Sequence, residues 1–252
     1  MKSKILIVTR GRPWHKQSTA QALMEADIPF TFIRTLGDEV SLFCARRKTS
    51  AIWVDASNIA VKRQKVLQLY KRFIMLDDDL SFQRVVEGKA VKAAPDELEA
   101  LFALMDQCLN THALVGLENR FMIQNKEQPF NSKWGKMIHA VGVNKKFLKG
   151  NERYSRVPGH EDIDFFLQVA MNKCPVIMIS KYTHSDAGNF YRPGGCSTWR
   201  NKENDHEQAR KLQSLWPSII TLYPGKDGIT RVKGNWKKVR EHNASAAQKT
   251  KI

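Results

Sequence analysis

The first third of the chain alternates short β-branched runs with segments of helical period, and this pattern restricts the possible folds more than any other feature. Lys4–Thr9 (KILIVT) reads as a strand that ends in a Gly- and Pro-containing loop, Arg10–Pro13. Ser18–Ala26 reads as a helix, Phe30–Arg34 as a second strand, Asp38–Arg47 as a helix and Ala51–Asp55 as a third strand. Ile59–Lys71 places Ile59, Val66, Leu67 and Tyr70 at helical spacing, and Arg72–Leu76 is a fourth strand running into Asp77-Asp78-Asp79. Strands alternating with helices predict an α/β fold with a mostly parallel central sheet flanked by helices. In such sheets ligands bind beyond the carboxyl ends of the strands. Thr9–Arg12, Asp55 and Asp77–Asp79 are therefore expected on one rim.

The second half is less regular. Pro95–Asn110 reads as a helix with Asp96 and Glu97 in its first turn, Ala113–Leu117 as a strand, and Lys133–Val143 as strand material with a break. A helix is expected over Glu161–Asn172, a strand over Pro175–Ser180 and a helix near Glu203–Leu215. Lys181–Lys202 reads as a long loop, a length usually kept for function. From Lys226 onward there are eight Lys/Arg and two Asp/Glu, predicting a flexible basic segment over 226–252 behind one domain over 1–225.

Composition narrows the class. At 252 residues, 42 % hydrophobic and 26 % charged, the chain has enough apolar material for a core and is not wholly disordered. No apolar run reaches the roughly 18–20 residues that cross a bilayer, and Ile5–Val8 is too short for a signal peptide. Cys44, Cys108, Cys174 and Cys196 form no C-x-x-C pair, which favours reduced thiols in a cytoplasm. The net charge of +16 points to a polyanion partner, with nucleic acid the leading candidate and no membrane.

Four constellations carry chemistry. Three adjacent carboxylates repel one another and suit a divalent cation; strand geometry puts Asp77 and Asp79 on the same side. Gly159-His160-Glu161-Asp162 sets two carboxylates at a predicted helix start, where they either charge the helix terminus or act as a general base. His184, in Tyr182-Thr183-His184-Ser185-Asp186, would offer a neutral imidazole to a metal. Arg10, Arg12, Lys62, Arg63 and Lys65, with Tyr191, Arg192, Trp199 and Arg200 of the long loop, combine cations for phosphates with aromatics for bases.

Together these segments resemble the GT-A-fold (Rossmann-related) nucleotide-sugar glycosyltransferases. The match lies in ILIVTRGRP, NIAVKRQKVL, LDDDL (as the D-x-D motif), HEDIDFFLQ (as the segment supplying the base) and YTHSD, spanning roughly Lys4–Asp186. Small size and basic character are most similar to the bacteriophage-type DNA glycosyltransferases.

The resemblance implies that Thr9, Arg10 and Arg12 hold the uracil or ribose of a UDP-sugar, with Asp55 near the base and Arg63 reaching the sugar or the carboxylates. Asp77 and Asp79, with His184, would hold Mn²⁺ or Mg²⁺, and Asp77 and Asp78 would border the donor. Asp162 or Glu161 would act on the acceptor hydroxyl. The acceptor would be the hydroxymethyl group of 5-hydroxymethylcytosine or 5-hydroxymethyluracil in phage DNA, in the host cytoplasm if the chain is phage-encoded. Tyr191, Arg192, Trp199, Arg200, Lys237 and Lys238 would face the DNA. Three alternatives stand beside this reading: a GT-A transferase acting on a protein or glycan, a metal-dependent nuclease, and a non-catalytic DNA-binding module.

Overall fold

A computed structural model describes residues 1–9, 11–35, 50–122, 128–186, 201–225 and 227–247. The amino-terminal unit runs β1 (Lys4–Val8), α1 (Ser18–Glu25), β2 (Thr31–Arg34), β3 (Ser50–Trp53), α2 (Ile59–Leu69) and β4 (Arg72–Asp77). It continues through β5 (Ser81–Val86), β6 (Lys89–Lys92), α3 (Pro95–Cys108), β7 (Leu114–Asn119), β8 (Ala140–Asn144), α4 (Glu161–Met171) and β9 (Val176–Ser185). The chain then forms α5 (Lys202–Leu215), β10 (Ile220–Pro224), β11 (Thr230–Gly234) and α6 (Trp236–Ala247).

Nine strands make one sheet in the order β3-β2-β1-β4-β8-β7-β9-β5-β6. The pairs β1–β2, β2–β3, β1–β4 and β7–β9 are parallel, whereas β4–β8, β7–β8, β5–β9 and β5–β6 are antiparallel. The expected mostly parallel sheet is therefore corrected to a mixed one. Two strands, β5 and β8, run against the others. The turn at Asp78–Leu80 sends the chain straight back into β5. At β8 the chain enters from the same rim through His139, whose φ is +66°. That left-handed conformation is rare outside glycine.

Alternation along the strands feeds two cores. Leu6, Val8, Phe73 and Met75 face a layer containing Val66 and Leu67 of α2, Ile163 and Phe166 of α4, Leu212 of α5 and Val239 of α6. Ile5, Ile7, Ile74 and Leu76 face the other layer, with Leu23 of α1 and Leu98, Leu101 and Phe102 of α3. Both faces being covered explains why β1 and β4 are continuous apolar runs. Gly116 in β7 permits a close approach: a Cβ there would lie 2.5 Å from the Met137 side chain. The segment before β8 packs closely on the sheet there, and of the expected 133–143 strand only 140–143 forms, as part of β8.

The carboxyl-terminal segment also differs from its expectation. Residues 230–247 form β11 and α6 instead of a loose tail. Val239 is fully buried, and Asn243 donates from Nδ2 to the Ala170 and Cys174 carbonyls at 2.9 Å each, completing the end of α4. The expected helix at 38–47 lies outside the described residues. Among the described residues no helix is long and apolar enough to cross a membrane.

Candidate active site

The carboxyl ends of β1, β4 and β9, the start of β8 and the first turn of α4 meet at one rim. Asp77 closes β4. Its N–H donates to the His139 carbonyl at 2.9 Å, and its carbonyl accepts from Thr19 Oγ1 at 2.6 Å. Thr19 Oγ1 also accepts from the Leu80 N–H at 2.8 Å, so the aspartate turn is tied to the first turn of α1 at both ends.

The three aspartates have separate environments. Asp78 points inward: it is 5 % exposed, accepts from Thr9 Oγ1 at 2.6 Å and pairs with Arg12 Nε at 2.7 Å. Arg12 also reaches Asp79 Oδ2 at 3.0 Å. Gln17 braces this corner by donating to Thr9 Oγ1 and to the Arg12 carbonyl. Both oxygens of Asp77 are engaged, Oδ1 by Arg63 Nη2 at 2.5 Å and Oδ2 by His139 Nδ1 at 2.7 Å.

Arg63 links the two carboxylate motifs. It projects from the buried face of α2, whose first turn is capped by Asn58 Oδ1 accepting from the Val61 N–H at 3.0 Å. Besides Asp77, its guanidinium meets Glu161 Oε1 at 3.2 Å and Asp162 Oδ2 at 3.8 Å. Neighbouring Lys62 is fully buried and donates from Nζ to the Thr9 carbonyl. Behind Asp77, the space bounded by Arg63, His139, Tyr154 and Asp162 is about 10 Å³, the size of one water. A substrate must therefore lie on the solvent side of the aspartates.

The local field sorts the acids. Burial pushes Asp78 up to about 7 against the pull of Arg12 and Thr9. Burial likewise raises Glu161 to about 7 despite Arg63. At Asp77 burial acts upward too, but Arg63 and His139 outweigh it and hold the carboxyl well below its usual range. Asp162 is lowered because Arg63 and His139 overcome its burial. Burial and the nearby His139 depress His184 to about 4, so its imidazole is neutral at neutral pH.

His184 is 1 % exposed, and neither ring nitrogen has a partner in hydrogen-bond geometry, although the Glu118 backbone acts weakly on it. Its ring centroid lies 5.7 Å from that of His139, whose Nε2 is 3.8 Å from Asp186 Oδ2. Buried polar atoms without partners carry a desolvation cost, and a neutral imidazole here suits a cation. The carboxylates that act on this ring are those of Asp186 and Asp77. Among the described residues no three His, Cys, Asp or Glu side chains are already gathered as a ligand cluster.

Of the residues singled out by sequence, Thr9, Arg12, Asp78 and Asp79 form one cluster and Arg63, Asp77, Glu161 and Asp162 a second, the two joined through the aspartate turn, with His184 near Asp77. Asp55 follows β3, is exposed, and makes no hydrogen bond or ion pair with either cluster among the described residues. Lys237 and Lys238 lie exposed on α6. Arg10, Tyr191, Arg192, Trp199 and Arg200 lie outside the described residues. His139 was not among the expected residues, and the sequence carries no motif around it; its left-handed backbone and its double hold on Asp77 appear only in three dimensions. No protein-family model matches this chain, and a comparison with curated proteins finds no related sequence.

Proposed function

We propose that the chain is a GT-A-like, metal-dependent glycosyltransferase that moves a sugar from a UDP-sugar to the hydroxymethyl group of a modified pyrimidine in DNA. The observation that carries the reading is the Arg63 bridge. It holds the end of the D-x-D strand and the start of the Glu161-Asp162 helix against each other, beside the buried imidazole of His184.

Asp79 and His184 would hold Mn²⁺ or Mg²⁺, and the ion would neutralise the departing diphosphate. Asp77 has both oxygens committed and so fixes the rim rather than reaching outward. Arg12 holds Asp78 and Asp79 in place and adds positive charge where the diphosphate would sit. Asp162 is the base: it is more exposed than Glu161, with 18 % against 6 % of the side chain accessible, and it is kept ionised. A primary alcohol needs its proton removed as the C–O bond forms, and a positioned carboxylate contributes about 10²–10⁴-fold. Glu161, buried and pinned by Arg63 and the Gly159 N–H, orients the helix start.

The charge of +16 supports a nucleic-acid acceptor. Among the described residues seven Asp/Glu are buried against two Lys/Arg, so their solvated surface is more basic than their composition alone indicates. The deciding assay follows UDP release from nucleotide sugars with Mn²⁺, with and without DNA containing 5-hydroxymethylcytosine or 5-hydroxymethyluracil. Release that requires the hydroxymethylated DNA is expected. Equal release with unmodified DNA, or release on a protein or glycan alone, contradicts the acceptor; strand nicking contradicts the reaction.

A further inference from the structure

A second cleft, of about 430 Å³, opens on the α2–α4 side of the molecule, one to two helical turns below the rim. Gln64, Asn151, Arg153, Arg156 and Trp216 are among its lining residues. The acids that border it are fully used by internal donors. Glu152 accepts from the Lys149 and Gly150 N–H groups at 3.1 and 2.9 Å, from Asn172 Nδ2 at 2.6 Å and from Cys174 Sγ at 3.7 Å. Asp164, wholly buried, accepts from Trp216 Nε1 at 2.8 Å and Gln168 Nε2 at 2.9 Å, and pairs with Arg156 Nε at 3.3 Å.

The amides lose their acceptor ends in the same way. Gln64 Oε1 takes the Tyr154 N–H at 2.8 Å, Asn151 Oδ1 takes Asn172 Nδ2 at 2.9 Å, and Gln168 Oε1 takes the Arg153 N–H at 3.1 Å. What remains free is donors. Gln64 Nε2 and Asn151 Nδ2 make no hydrogen bond among the described residues, and the exposed Arg153 guanidinium makes no hydrogen bond there, although its charge acts on Asp164. The Arg156 guanidinium lies 5.6 Å above the Trp216 ring. Exposed Lys149 and Lys173 adjoin the lining residues Gly150 and Asn172 in sequence.

A cleft whose acceptors are spent and whose free groups are amide N–H₂ and guanidinium donors selects a ligand rich in acceptors and negative charge. We propose that this cleft is a phosphoryl-binding site, separate from the rim and independent of the transferase reading. Its ligand is a phosphate group, carried on a nucleic-acid strand or free in solution.

The test uses the full chain without metal or nucleotide sugar. Fluorescence anisotropy measures binding of a labelled single-stranded octathymidylate, and inorganic phosphate is titrated separately by NMR of the Arg153 guanidinium. Three variants are compared after their melting curves are shown to match: Arg153→Glu, Gln64→Glu, which retains the acceptor for Tyr154, and Lys89→Glu on exposed β6 as a charge control. At least tenfold weaker binding is expected for Arg153→Glu and Gln64→Glu, and less than twofold for Lys89→Glu. Strand binding without a phosphate response assigns the site to nucleic acid; a phosphate response of equal strength assigns it to a free phosphate. Equal loss in all three variants, or no loss at Arg153, overturns the proposal.

Discussion

Asp77 receives a guanidinium on one oxygen and an imidazole on the other, and its own N–H donates to the His139 carbonyl. A carboxylate held this way stays ionised and immobile, and Asp79 is the one proposed to face the ligand. Two substitutions separate their roles from that of the base. Asp79→Asn is expected to lose Mn²⁺ binding and turnover together, by calorimetry and UDP release. Asp162→Asn is expected to lose about 10²–10⁴-fold in turnover while still binding Mn²⁺ and UDP. His184 makes a pH prediction. Its pKa is about 4 in the folded chain against about 6.5 for an ordinary histidine. Between those values the unfolded chain binds more protons, so the neutral ring's contribution is complete above pH 6.5 and disappears as the pH falls through 4. That contribution is on the order of 3 kcal/mol. In urea titrations from pH 7 to 4, His184→Gln should lose correspondingly less stability than the parent chain.

Elements differ in how openly their sequences announce them. The strands β1 and β4 are buried on both faces and read as unbroken KILIV and RFIML. The helix α1 begins at Ser18 as expected, and β3 starts one residue early. The β5–β6 hairpin was not legible because it is an edge: every residue of KAVK in β6 is exposed, so no apolar pattern marks it. Lys181–Ser185 reads as loop, yet it continues β9, where Thr183 and His184 pair with Glu118 and Asn119 after an irregularity in β7. The polar residues of that stretch are buried for the site rather than for the core. At α6, a basic composition conceals a helix that docks through Val239 and through hydrogen bonds from Arg240 and Asn243. Truncation after Gly225 should therefore act on folding: it uncovers Val239's layer and the end of α4. A fall in melting temperature of several degrees is expected in calorimetry. An unchanged melting temperature would mean that α6 contributes nothing to the core.

Across the described residues, more carboxylates than lysines and arginines are buried, seven against two. Binding to DNA should weaken steeply with salt, as log K falls about 0.9 per phosphate contact for each unit of log salt on a duplex. Anisotropy titrations between low and moderate salt measure that slope, and a flat response would assign the charge to another task. Sheet order delivers the remaining design. Because β1, β4, β7 and β9 share one direction and β8 enters against them, residues from far-separated segments reach one rim. Sequence pattern carried the parallel half of that arrangement, together with the acidic motifs. It did not carry His139 or the reversed strands β5 and β8.

The central claim is that Asp79 and His184 face a cation that holds a nucleoside diphosphate. A crystal grown with Mn²⁺ and UDP, with anomalous data collected at the manganese edge, tests it directly. A peak in coordination contact with Asp79 and His184, with the diphosphate oxygens on its solvent side and Arg12 nearby, is the predicted result. Manganese and UDP bound away from this rim, with the His184 nitrogens facing protein alone, would contradict it.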